Sequence, residues 1–166
     1  MLKFIRTISL AICVVAFFNS CKKSDTSGSC PVTSYNPCAL QAPASEIQSV
    51  KDYLSANGLT ATQHCSGLFY IIDAPGTGAT PSICSAVTVN YEGKLTNGTV
   101  FDSNANGGPF FLYQLIAGWQ AGIPLIKTGG SIRLYIPPSL GYGSTANGPI
   151  PANSILIFRV DLKSVQ

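Results

Sequence analysis

From residue 67 to the C-terminus, apolar side chains recur at every second position in short runs separated by Gly, Pro, Asn and Ser. In "AVTVNYEGKL" (86–95), Val87, Val89 and Tyr91 fall on one side and Thr88 and Asn90 on the other, the period of a half-buried strand. "GLFYIID" (67–73), "SIRLYIP" (131–137) and "NSILIFRVDLKSV" (153–165) predict further strands. "TNGTVFD" (96–102) contains Asn97-Gly98, which predicts a hairpin with a two-residue turn whose central residues both take positive φ. Two segments follow the helical period instead. In "ASEIQSVKDYLSANGLT" (44–60), Ile47, Val50, Tyr53 and Leu54 share a face, Ser45 is the expected N-cap, and Asn57-Gly58 is the stop. "LIAGWQAGIPLI" (115–126) is a second, shorter apolar helical stretch, and "PPSLGYGSTANGPIPA" (137–152) reads as a loop. The strands have too few crossovers for a doubly wound sheet. The expected class is α+β: a curved antiparallel sheet wrapped around one short α-helix.

The N-terminus follows another pattern. "MLKFIRT" is positively charged, the largely apolar run Ile8–Phe18 has 11 residues, and a small-residue end follows at Ser20. A bilayer span takes about 20 residues, so residues 1–20 are expected to be a signal peptide. Cys21 directly after Ser20, with polar "KKSDTSGS" behind it, resembles a bacterial lipoprotein signal, although Phe18 and Asn19 depart from the usual pattern. Cys21 is therefore the expected lipidation site, anchoring the protein to a membrane of the cell envelope and facing the periplasm or the cell surface. Residues 21–43 read as a polar tether, 44–66 as a short helix with a lead-in, and 67–166 as the main domain. Cys30, Cys38, Cys65 and Cys84 remain as an even set, enough for two disulfides with three connectivities. The short loops Cys30–Cys38 and Cys65–Cys84 are the expected pairing.

Composition narrows the chemistry. Of the 166 residues 46% are hydrophobic and 10% charged, so a packed core is expected. The net charge is +3, but without Lys3 and Arg6 the Lys/Arg count falls from 10 to 8 against 7 acids. No basic run longer than Lys22-Lys23 exists, so the footprint of a nucleic-acid binder is missing. His64 is the single histidine and there is no C-x-x-C, which argues against His-based nucleophilic triads and against a zinc site. "GYGSTANG" lacks the spacing of a phosphate cradle, and Asp73, Glu92, Asp102 and Asp161 are scattered over different elements. No metal and no cofactor is expected. What remains is a set of aromatics beside turns: Tyr91, Phe101, Phe110, Trp119, Tyr142 and Phe158. Core packing is the ordinary role of such residues. Their position at strand ends and loop starts, with Gly118 before Trp119, suggests a cleft with the indole as its floor.

"VTVNYEGKLTNGTVFDS", "LIAGW", "GYG" and "IPANSILIFRVDL" occur in this order and resemble the FKBP-type peptidyl-prolyl cis-trans isomerases over Gly67–Gln166. The resemblance implies a sheet of five or six strands around one helix, with a cleft that takes an X-Pro bond and also macrolide ligands. It implies that Tyr91, Asp102 and Tyr142 act in catalysis. It further implies that Phe101, Phe110, Leu115, Ile116, Trp119, Ile150 and Phe158 bind substrate, with Trp119 beneath the proline ring and the Ile116 N–H on a substrate carbonyl. The implied partners are proline-containing polypeptide segments of exported proteins. Turnover needs no proton transfer, so Asp102 is expected to orient Tyr91 and the rotating amide rather than act as a base. A module that grips proline segments without turnover would use the same cleft. The connections between Asp102 and Phe110, between Phe110 and Trp119, and after Tyr142 are shorter than is usual in the family, which bears on substrate preference more than on fold.

Overall fold

A computed structural model of the protein describes residues 30–166. The expected signal segment 1–20, the lipidation site Cys21 and the start of the tether lie outside the described residues.

The first helix, α1, spans Ala44–Ala56. It starts after Pro43, which occupies the N-cap with no side-chain hydrogen bond, so the expectation of Ser45 as N-cap is corrected. Proline's fixed φ suits the entry to a helix, and Ser45 instead lies inside, its carbonyl accepting from Ser49 Oγ. The helix stops where expected. Gly58 adopts φ +62°, its N–H reaches Ser55 O, and the Leu59 N–H reaches Leu54 O, the paired bonds of a Schellman ending.

Six strands follow: β1 (Thr62–Gln63), β2 (Phe69–Ala74), β3 (Ala86–Leu95), β4 (Val100–Phe111), β5 (Ser131–Ile136) and β6 (Leu156–Val165). Helix α2 (Ala117–Gly122) lies between β4 and β5 and continues into a 3-10 turn, Ile123–Leu125. The strands form one sheet in the order β1-β2-β5-β6-β3-β4, every pair antiparallel. The β3–β4 hairpin forms as expected, but its turn differs. Gly98 has φ +86° whereas Asn97 is not in the left-handed region, and Gly98 N–H bonds to Leu95 O. The connection is a three-residue loop with glycine at its left-handed position, in which Asn97 Oδ1 accepts from the Thr99 N–H at 3.0 Å.

Strand alternation gives the sheet two faces. On one, Val87, Val89, Ile132, Leu134, Ile136, Leu156, Phe158 and Val160 pack against α2 and its flanks. On the other, Phe69 and Tyr135 receive Val50 and Leu54 of α1, with Ile71 and Ile157 alongside. The expected single wrapped helix is α2, and α1 covers the outside of the sheet.

The disulfides join Cys30 to Cys84 and Cys38 to Cys65, with Cα separations of 5.5 and 5.3 Å. This corrects the expected Cys30–Cys38 and Cys65–Cys84 pairs. Cys38 precedes α1 and Cys65 follows it, so the chain runs out along the helix and returns before closing the loop. The described part of the expected tether, 30–43, is thereby clamped to the domain, with Ala42 buried and its N–H on Ser66 O.

Candidate active site

The cleft forms where β3, β4 and β6 meet the start of α2. Gly93 pairs with Asp102 on β4 and with Phe158 on β6, so it is the middle of a row running across the three strands. A Cβ on Gly93 would come within 2.7 Å of the Phe101 and Phe158 rings. The missing side chain lets those rings close in, edge to face at 5.4 Å. On the helix side, a Cβ on Gly118 would lie 2.6 Å from Ile136, so the glycine allows α2 to press onto β5 and sinks the next residue, Trp119, into the sheet's concavity.

Trp119 is 5% exposed. Its ring meets Tyr91 at 5.2 Å and Phe158 at 5.1 Å, both nearly perpendicular, the edge-to-face arrangement favoured by aromatic quadrupoles. Above this group opens a cavity of about 180 Å³. It is smaller than the ~300–1,000 Å³ that encloses drug-sized ligands and suits a single ring. Tyr91, Asp102, Phe110 and Tyr142 line it together with Leu115, Ile116, Trp119 and Phe158.

Eight of the ten expected site residues thus converge. Phe101 and Ile150 do not line the cavity. Phe101 is itself the extra residue that β4 carries opposite Gly93 and Lys94, and it packs edge to face on Phe158. Ile150 is buried in the core below the loop, its N–H and carbonyl bonded to Asn147. Tyr142 is well exposed on a loop tied down by bonds from Gly143 N–H to Pro138 O and from Asn153 N–H to Gly143 O, each 2.8 Å.

The polar edge of the cavity is a single strong contact: Tyr91 Oη donates to Asp102 Oδ2 at 2.7 Å. Burial, then the hydrogen bond and charge of Asp102, push the Tyr91 pKa up to about 12. Tyr91 is therefore a neutral phenol with its proton committed to the carboxylate. Among the described residues no second carboxylate and no histidine lines the cavity, so a proton relay has no partner there. Elsewhere, Cys38, His64 and Cys65 gather within 4.8 Å, but both sulfurs are consumed in the disulfide.

Sequence reasoning missed two supports. Gln120 Nε2 donates to Leu115 O at 2.7 Å and to Tyr113 O at 3.2 Å. Glu46 Oε2 on α1 accepts from the Ser139 N–H at 2.9 Å, at the turn that leads into the Tyr142 loop. Side-chain bonds to distant backbone leave no periodic trace in a sequence.

Residues 78–163 match the family model of the FKBP-type peptidyl-prolyl cis-trans isomerases. The isomerase FkpA of Buchnera aphidicola subsp. Schizaphis graminum is 46% identical over 121 residues, 70% of this chain and 47% of that one. The crystal structure of FkpA from Escherichia coli is similar with TM-score 0.67 at 36% identity, covering 74% of this chain and 60% of that one. That of a peptidyl-prolyl cis-trans isomerase from Pseudomonas syringae pv. tomato gives TM-score 0.66 at 27% identity, covering 76% and 98%. The chain spans less than half the length of the curated relatives it matches. With the family model matched over more than half the sequence, and with solved relatives similar over about three quarters of the chain, this chain belongs to the FKBP-type peptidyl-prolyl cis-trans isomerase family.

Proposed function

We propose that this protein catalyses cis-trans rotation about X-Pro bonds of polypeptide segments, without covalent or proton-transfer steps. The observation that carries the reading is the aromatic cavity floored by Trp119, with one carboxylate held by one phenol at its rim. Uncatalysed rotation takes tens of seconds because amide resonance must be broken. The twisted amide is less polar than the planar one, since the nitrogen lone pair is no longer shared with the carbonyl. An apolar cavity therefore favours the twisted form relative to water, which is differential binding of the transition state. A rate gain of about 10⁴ needs roughly 5.5 kcal/mol of such preference.

In this mechanism the prolyl ring sits over Trp119 between Phe110 and Phe158. Tyr142 donates to one substrate carbonyl and the Ile116 N–H to another. Asp102, fixed by Tyr91, presents its field to the rotating carbonyl, a preorganised electrostatic contribution that needs no reorientation during rotation. Phe101 and Ile150 act through packing alone. A protease-coupled prolyl-peptide assay tests the reading, with catalysis expected. Peptide binding at an uncatalysed rate would make the protein a proline-segment binding module.

We further infer export, with a lipid on Cys21. The charged-apolar-small order of residues 1–20 supports it. So do the two disulfides, which persist in oxidising compartments. Among the described residues no helix is long and apolar enough to cross a membrane. Membrane partition of the full-length protein, lost in Cys21→Ser, is the expected result; unchanged partition would contradict the anchor.

A further inference from the structure

The peptide unit joining Leu115 to Ile116 has two polar ends. Its N–H, on Ile116, makes no hydrogen bond to a backbone carbonyl among the described residues, and both residues line the aromatic cavity. Its C=O, on Leu115, is held by Gln120 Nε2 at 2.7 Å. A trans peptide is planar, with N–H and C=O pointing to opposite sides, so fixing the oxygen fixes the direction of the hydrogen. The same side-chain amide reaches Tyr113 O at 3.2 Å, and Gln120's own N–H bonds to Ile116 O at 3.1 Å. One residue thus closes on the connection before α2 through both its side chain and its main chain.

Gln120 does not line the aromatic cavity. It lies in the wall of a second cavity of about 260 Å³, beside Tyr35, Leu40 and Leu140. Whatever it does for a bound segment, it does through the peptide between them. Hydrogen bonds in series polarise one another, so a bond accepted at the C=O makes the N–H of the same unit a stronger donor.

Building on the isomerase reading above, we propose that Gln120 is a positioning residue: it aims and polarises the Leu115–Ile116 peptide, whose N–H receives a carbonyl of the bound prolyl segment. The requirement at position 120 is for a donor, which the glutamine amide meets with two N–H groups. Glutamate has the same length but donates only when protonated. Facing two carbonyl oxygens, its carboxyl would titrate above the usual value of about 4.3.

The test is cis-trans exchange of a prolyl peptide, followed by NMR from acid to mildly alkaline pH, with the wild-type protein and Gln120→Glu. The ratio of the two kcat/KM values is taken at each pH, so pH effects common to both proteins cancel. Tyr35, the titratable side chain among the other residues lining the second cavity, has its pKa raised by burial above 10.0, outside the range. At the alkaline end the variant is expected to be about 3- to 10-fold slower, the size of one lost hydrogen bond. The deficit shrinks as pH falls, and the Ile116 amide shift moves with the same midpoint. A ratio that does not change with pH, whether near one or uniformly low, overturns the proposal, as does an Ile116 amide that ignores the titration. If the wild-type protein fails to catalyse, the isomerase reading falls separately, and the Ile116 amide titration alone decides whether Gln120 controls that peptide.

Discussion

Tyr91 and Asp102 share one proton-committed contact, and each leaves a separate signature. Asp102→Ala removes the field at the cavity rim without touching the core, since Asp102 is exposed. The expected outcome is about a tenfold fall in kcat/KM, ~1.4 kcal/mol of transition-state stabilisation. Unfolding should stay cooperative, with the midpoint lowered only by loss of the Tyr91 hydrogen bond; an unchanged rate would remove Asp102 from the mechanism. Tyr91 reports on stability instead. Its folded pKa, about 12, lies above the unfolded value of 10.0, so its contribution is fully present below pH 10 and is lost as pH rises from about 10 to 12. Tyr91→Phe should flatten that part of the melting-temperature profile relative to wild type, leaving the slope due to other raised phenols such as Tyr135. Equal slopes would deny the raised Tyr91 pKa, to which burial contributes most and Asp102 next. Both residues were legible in the sequence because they flank the hairpin in a motif with fixed spacing. Phe101 and Ile150, assigned by the same resemblance, fall outside the cavity lining, Phe101 at the extra residue in β4 and Ile150 buried beneath its loop, features a linear motif does not display.

Helix α2 is short, yet it sets the floor of the site by how closely it approaches β5. Gly118→Ala would push a methyl to 2.6 Å from Ile136. Overpacking of this kind costs about 1–3 kcal/mol. The helix would have to rise, carrying Trp119 with it, so a lower urea midpoint together with a shifted emission maximum from the sole tryptophan is expected. A midpoint and spectrum identical to wild type would contradict the close-approach account. Helix α1 and strands β2, β3, β5 and β6 were readable because their apolar periods run over several residues and mark the faces they pack. The longest strand, β4, was read only as far as Asp102, since its continuation through Asn104, Gly107 and Gly108 carries no alternating apolar pattern and none of its residues is buried. The two-residue β1 has no room for a period. The hairpin was readable from Asn97-Gly98, but its turn type was not, since the same dipeptide serves a three-residue loop when only Gly98 goes left-handed.

Across the full fold, the least legible feature was the cysteine pairing. Nearness in sequence favoured two short loops, whereas the folded chain brings Cys30 to the entry of β3 and Cys38 back against the end of the α1 excursion. That proximity is a product of the sheet and helix packing and is not encoded locally. The Cys38–Cys65 bridge closes a separation of 27 residues. Chain-entropy reasoning assigns such a loop about 3–4 kcal/mol. A Cys38→Ser, Cys65→Ser double variant should lose about that much stability in denaturant titration while keeping the proposed isomerase activity at the wild-type rate, because the cavity is lined by residues between Tyr91 and Phe158. A lost rate in a still-folded variant would show that the clamp also shapes the cavity.

In the proposed mechanism the site holds a prolyl amide against aromatic faces and moves no proton. The decisive measurement is the catalysed cis-trans exchange rate of a prolyl peptide in H2O and in D2O. The prediction is an acceleration of orders of magnitude over the uncatalysed tens of seconds, with a solvent ratio of about 1. An exchange rate left at its uncatalysed value, or one slowed more than about twofold in D2O as proton transfer would require, would contradict it.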